Sequence, residues 1–267
     1  MKHLILLFFL LVAAGTTRSF AQFNALDNTF NGGIVTTSVS TDDEFARAVA
    51  IQPDGKIVLA GNVSFNGAYA DFALARYNSN GTLDNGFAYG GKLTTAIGES
   101  DDIANAVAIQ PDGKIIAAGY SYVGEHFDFA LARYNADGVP DKSFNTDGKL
   151  ISSVGKFNDV INSIAVQPDG KIVAAGYSSD GIQNHFAIVR YNIDGTLDRT
   201  FNSTGFVVLP IGSGNSEISS VCIQPDGKII AAGFSDNNSK SNFTLARLNQ
   251  DGTFDQSFNF DGEVITS

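Results

Sequence analysis

The sequence predicts an all-β chain built from about four repeats of a four-stranded antiparallel unit, and three observations predict it. A block that reads strand, Gln-Pro-Asp-Gly turn, strand occurs at Val49 to Asn62, Ala106 to Tyr120, Ile164 to Tyr177 and Val221 to Phe234. Its turns begin at Gln52, Gln110, Gln167 and Gln224, so the period is 58, 57 and 57 residues. A fixed period of this size marks a repeat architecture. An Asp-x-x-Phe tail returns every 57 residues, at Asp27/Phe30, Asp84/Phe87, Asp141/Phe144, Asp198/Phe201 and Asp255/Phe258. The third observation is composition: 43% hydrophobic residues with 28 Gly suit short strands joined by many turns.

Each repeat yields four strands in order. The first alternates through Ala48-Val49-Ala50-Ile51 and stops at the turn, where Pro presets φ and Gly accepts the positive φ that follows. The second is Lys56 to Gly61. The third, Phe72 to Tyr77, has a period of two that puts Phe72, Leu74 and Arg76 on one face and Ala73, Ala75 and Tyr77 on the other. The small face suits close stacking against a neighbouring sheet. The fourth is Lys92 to Ala96, after a loop holding Asn78 to Asp84. In the opening tail, Ile34 to Ser38 reads as a further Thr/Val-rich strand.

Four short antiparallel strands per repeat describe the blade of a β-propeller, because helical repeats need a 3.6 period that is absent here. The boundaries fall near 42–98, 99–155, 156–212 and 213–267, preceded by a partial repeat at 25–41, all in one domain over 22–267. The blocks AVAIQPDGKIIAAGY and FALARYNADG, followed by D-x-x-FN-x-DGK, resemble the bacterial delta-60 repeat over nearly all of residues 25–267. That resemblance implies a propeller-like fold and an exported bacterial protein, and implies no established activity. Four blades is the lower limit for a propeller, and five tails against four heads leave one strand surplus. Either the ring closes with an added outer strand, or the repeats form an open arc that favours a homodimer through exposed sheet edges.

Lys2 and His3, an apolar run from Leu4 to Ala14, and small residues at Ser19 and Ala21 describe a secretory signal peptide over 1–21. The run is about eleven residues, too short to span a bilayer. Export to the periplasm, the cell surface or the medium is expected. The formal charge is −11, and loss of Lys2 and Arg18 with the leader makes it −13. Scattered acids of this kind exclude a general attraction to nucleic acid or anionic lipid. The single Cys222 forms no internal disulfide, and its place among Ala50, Ala108 and Ala165 predicts a small buried core residue.

No catalytic constellation is assembled by the sequence. The loops Asn135 to Asp141, Asn192 to Asp198 and Asn249 to Asp255 have alternating oxygen donors of the kind Ca²⁺ takes, with Asp137, Asp141, Asp194, Asp198, Asp251 and Asp255 as candidate ligands. The competing reading is that Asp-Gly makes a tight turn which Asn caps. Arg76, Arg133, Arg190 and Arg247 recur in step with the tail aspartates, as expected of an ion pair fixing the third strand to the loop of its own blade. His126 and His185 are not at matching offsets. The stretches Ser64 to Tyr69, Ser121 to His126, Ser178 to Asn184 and Ser235 to Ser241 vary between copies, with Tyr69, Tyr120, Tyr122 and Tyr177 in or beside them. Function is carried on such segments. The expectation is a non-catalytic binding module for a protein or surface glycan, without a cofactor. The alternative is a glycan hydrolase or lyase using the carboxylates at Asp42, Asp43, Asp101 and Asp102.

Overall fold

A computed structural model describes residues 26–65, 67, 69–237 and 240–266; the expected leader lies outside them. Among the described residues there is no helix, so none is long and apolar enough to cross a membrane. The chain forms four antiparallel sheets, each a meander of consecutive strands. The first contains β1 (Glu44–Ile51), β2 (Ile57–Phe65), β3 (Tyr69–Tyr77) and β4 (Lys92–Thr95). The second contains β5 (Asp102–Ile109), β6 (Ile115–Val123), β7 (His126–Tyr134) and β8 (Lys149–Ser152). The third runs through β9 (Asp159–Val166), β10 (Ile172–Ser179), β11 (Asn184–Tyr191) and β12 (Phe206–Leu209). The fourth is β13 (Ser216–Ile223), β14 (Ile229–Asn237), β15 (Lys240–Leu248) and β16 (Glu263–Thr266).

The first hairpin of each blade is set by its turn. Gly55 takes φ +82° and donates its N–H to Gln52 O at 2.9 Å, as Gly113, Gly170 and Gly227 do in their copies. The pairing is then interrupted by a bulge in the first strand, between Ala46 and Ala48 in blade one and between Ala104 and Ala106 in blade two. The bulge explains the small-residue step of the repeat. A Cβ at Gly119 would lie 1.9 Å from Ile103 O, and one at Gly61, Gly176 or Gly233 would meet the matching carbonyl equally closely. Only glycine permits that approach.

The two faces of the third strand separate as expected. Phe72, Leu74 and Phe87 of blade one pack on Ala117, Ala130, Ala132 and Tyr134 of blade two. Blade two in turn packs Phe129, Leu131 and Phe144 on Ala174, Ala187 and Tyr191 of blade three, and blade three packs Phe186, Ile188 and Phe201 on Ala231, Ala246 and Leu248 of blade four. Each interface therefore interlocks a large-residue face with a small-residue face. Burying each Phe or Leu contributes roughly 1.5–3 kcal/mol, so these three interfaces are the core.

Among the described residues the hydrophobic clusters join blade one to two, two to three and three to four, and none joins four to one, so the four blades form an open arc. The outward face of blade four leaves Phe243 82% exposed, and the outward face of blade one leaves Val49 and Ile51 61% and 70% exposed. What lies open at each end is a sheet face and not a strand edge. That corrects the expectation of exposed sheet edges, and two further expectations are corrected. Cys222 is exposed, because it lies on the outward face of blade four, where its counterpart Ala165 is covered by the next blade. Residues 34–38 belong to no sheet, because no strand pairs with them among the described residues.

Candidate functional site

The repeated charged residues form a latch between blades. Arg133 Nε binds Asp141 Oδ2 at 2.8 Å within blade two, while Nη1 donates to Ile193 O of blade three. Its guanidinium lies 4.7 Å from the centre of the Phe144 ring. Arg76 repeats this with Asp84, Phe87 and Ala136 O, and Arg190 with Asp198, Phe201 and Gln250 O. The arginine thus does more than fix its own blade, as expected from sequence; it also joins its blade to the next. Sequence order alone does not carry that second bond.

The six candidate Ca²⁺ ligands are placed in two different roles. Asp137, Asp194 and Asp251 close local turns, accepting the N–H of Val139, Thr196 and Thr253 at 3.0 Å each. The glycines that follow them are wedged against the preceding blade: a Cβ at Gly138 would meet Phe87 at 2.8 Å, with φ already at +88°. Asp141, Asp198 and Asp255 each receive both an arginine and a lysine, with Lys114 Nζ at 3.5 Å, Lys171 at 3.0 Å and Lys228 at 2.8 Å. Burial pushes the Asp198 carboxyl up, but hydrogen bonds from Thr200 and Lys171 and the Arg190 charge together hold it well below the usual range. Among the described residues, no group of three or more His, Cys, Asp or Glu stands close enough to hold a metal ion.

The carboxylates of the alternative reading lie at the entries to the first strands of blades one and two. Asp102 is buried and accepts the N–H groups of Ile97 and Gly98; Asp159 does the same for Val154 and Gly155. Asp101 Oδ1 accepts Ala70 N at 2.9 Å, and Asp43 O accepts Ser64 N at 2.9 Å. Asp42 lies beside it before β1, its N–H bonded to Ser40 Oγ at 3.0 Å. Asn158 and Asn215 repeat the Asp101 bond, accepting from Phe127 N at 3.0 Å and Asn184 N at 2.9 Å. These bonds place each second-hairpin tip beside the linker that leads to the next blade. The variable stretches are therefore not long loops: β6 and β7 are joined by two residues, and Tyr69, Tyr120, Tyr122 and Tyr177 all lie on strands. The tips are rigid supports for varied side chains.

On this face, the second and third blades carry what the others lack. A groove of about 300 Å³ runs between the linker at Val154 to Phe157 and the hairpin at Ser178 to His185. His185 Nε2 lies 3.1 Å from Asp180 Oδ2, and His185 Nδ1 is buried without a hydrogen-bond partner. The Gln183 N–H first, then His185 and the Ile182 N–H, bring the Asp180 carboxyl down to about 2. His126 meets Phe157 edge-on at 5.4 Å, and Tyr120 and Tyr122 flank Phe127 at 4.7 and 5.4 Å. Phe157 lines the groove and is exposed, as are Val123 and Ile182 on the second hairpins of blades two and three. Phe157 escaped sequence reasoning. The signal was present, since its repeat counterparts are Asp42, Ser100 and Gly214.

Residues 52–87, 110–144, 167–201 and 224–258 match the family described as domain of unknown function (DUF5122) beta-propeller, which covers over half of the chain. The chain belongs to the DUF5122 β-propeller family. Its members' repeat block matches from the Gln-Pro-Asp-Gly turn to the tail phenylalanine, the same span that the latch ties together here. Residues 148–182 also match the WD domain, G-beta repeat. No curated protein matches the chain. Among solved structures, a putative gluconolactonase is 13% identical over 76% of this chain and 60% of its own, with a TM-score of 0.37. Sqt1 of Chaetomium thermophilum, bound to the N-terminus of ribosomal protein L10, is 18% identical over 81% and 60%, with a TM-score of 0.36. A glucose dehydrogenase is 14% identical over 75% and 80%, with a TM-score of 0.31. The chain spans about 60% of the length of the first two.

Proposed function

We propose that this DUF5122 propeller is an exported, non-catalytic interaction module that binds a protein on the hairpin-tip face of its second and third blades. The observation that carries this reading is where the repeat is broken. Residues that recur in every copy are committed to turns, bulges and latches, whereas Lys156, Phe157, Asp180 and His185 line one groove and have no equivalents, with Ile182 exposed on the hairpin beside it. A mixed rim of exposed apolar groups with one cation and one anion suits a protein surface. The likeness of residues 148–182 to a WD repeat supports the same reading, since that stretch includes Phe157 and Ile182.

The test is a photoreactive residue at Ile182 in the whole chain, expressed in its own host. One protein adduct is expected, lost in Phe157→Ala and absent when the probe is moved to Asn237 on the fourth blade. Adducts formed equally from both positions would remove the proposed face. A glycan-cleaving activity abolished by Asp101→Asn would instead favour the enzyme.

A further inference from the structure

The two outward faces of the arc are copies of faces that pack together three times inside the chain; the fourth-blade face is open at Phe243, while on the first-blade face Val49 and Ile51 are exposed and Ala75 and Tyr77 are buried. Phe243 corresponds to Phe72, Phe129 and Phe186, which are all 0% exposed. Leu245 corresponds to Leu74, Leu131 and Ile188, all of them buried. The small-residue face that receives those side chains on blade four, at Ala231, Ala246 and Leu248, corresponds on blade one to Leu59, Ala75 and Tyr77. The outward face of blade four is therefore of the large-residue kind, and that of blade one is its receptor.

The polar latch shows the same imbalance. Ala88, Asn145 and Asn202 each donate a backbone N–H to the next blade, at Asp137 O, Asp194 O and Asp251 O. The equivalent donor is Asn259, and the equivalent acceptor is Asn80 O on blade one. Arg76, Arg133 and Arg190 each reach a carbonyl of the following blade. Arg247 keeps its bonds to Asp255 and Ser257 within its blade, and the matching carbonyl is that of Ser79.

We propose that a second copy of this chain docks head-to-tail, the fourth-blade face of each copy seating on the first-blade face of the other. Two arcs then close one ring of eight blades, which is within the range propellers adopt. The two contacts are related by a two-fold axis, so the pair is a closed assembly.

One segment stands in the way. Phe30 packs on Gly81, with ring atoms 3.1 Å from where a Cβ would be, as Phe87 packs on Gly138 and Phe201 on Gly252. Lys92 Nζ donates to Ser38 O at 2.6 Å, as Lys149 Nζ donates to Ala96 O. Residues 26–38 thus occupy the seat of an incoming blade's tail. They hold it with the Phe30 ring, the Lys92 bond and Val35 to Val39 beside Leu59, Ala75 and Tyr77, but with no strand ladder, whereas β16 is paired with β15 over four residues. On docking, the segment leaves and the tail at Asp255 to Thr266 replaces it. The segment is a plug that competes with the second copy.

The experiment is light scattering of the intact chain across a concentration series, with maleimide labelling of Cys222 in parallel. A mass of two chains is expected, with Cys222 labelling slowing at least tenfold as the dimer fills. Phe243→Asp and Ile51→Asp should each be monomeric, and both sites are exposed, so circular dichroism should show an unchanged fold. Mixing these two variants leaves one intact interface and should give a mixed dimer. Phe30→Ala should lower the dissociation constant about tenfold by weakening the plug. A chain monomeric throughout with Cys222 fully reactive would overturn the proposal. So would a dimer insensitive to both aspartate substitutions.

Discussion

The third and fourth blades share the turn, bulge and latch residues and the same sheet order, yet they differ in what their outward faces do. Phe186 is fully buried by Val221, Ala231 and Leu248 of the next blade; Phe243, one repeat later, is mostly in water. Cys222 is exposed where Ala165 is packed. The pattern that builds a blade is local, because the turn, the bulge and the Arg–Asp pair act within one repeat, while the arginine's second bond needs the next blade. What stabilises a face is the neighbour, and a repeat sequence does not state whether it has one.

The largest expected difference lies in the aromatic pair. Phe186→Ala should destabilise by about 3–5 kcal/mol, from lost transfer and the cavity left between blades three and four. Phe243→Ala should change the monomer by no more than about 0.5 kcal/mol, as an exposed site does. Urea unfolding of both variants in dilute solution measures this, and equal losses would mean the end face is covered.

Next is Arg133→Ala, expected to cost about 3 kcal/mol because it leaves Asp141 buried beside Lys114 alone and removes the bond to Ile193 O. Arg247→Ala removes only contacts within its own blade and should lose distinctly less. The ratio of the two shifts in midpoint measures how much of the latch is a joint between blades.

Gly119→Ala and Gly233→Ala sharpen the comparison from the other side. Each added Cβ would lie 1.9 Å from a first-strand carbonyl of its own blade, so each should cost about 3 kcal/mol through forced backbone shifts. The two losses should agree, interior against end, because the contact is made before any neighbour arrives. A milder loss at Gly233 would show that the end blade relaxes its bulge.

Legibility followed the same division. The hairpin at Gln110 to Gly113, the alternation through Phe72 to Tyr77 and the recurrence of Asp-x-x-Phe are short-range patterns, and they fixed strand number, order and faces in advance. The glycine at the end of the second strand was visible as a repeat feature, but its cause, a carbonyl of the bulged strand, depends on register. Cys222 was misplaced because its repeat position is a core position only when a blade follows. Residues 34–38 have strand composition and lack a ladder for the same reason. The groove was legible only in part: the variable hairpins were marked, while Phe157 lies in a linker and meets His126 only through the packing of two blades.

The smallest effect expected is in acid, and it should not distinguish interior from end. The carboxyl of Asp198 lies below its ordinary value because bonds from Thr200 and Lys171 and the Arg190 charge outweigh burial; Lys228 and Ser257 lead the same lowering at Asp255. A carboxyl depressed in the folded state contributes stability that is complete above its unfolded value, near 4, and is lost as pH falls below that toward the folded value. Unfolding midpoints measured from pH 5 down to pH 2 should therefore fall steeply below about pH 4. Asp198→Asn and Asp255→Asn should each be less stable at pH 7 and flatter in acid, by similar amounts, because the partners of both carboxyls are in their own blade. A slope that changed for Asp198→Asn alone would mean that the next blade's carbonyl on the arginine is needed to hold the carboxylate, and that the latch works as one unit across the interface.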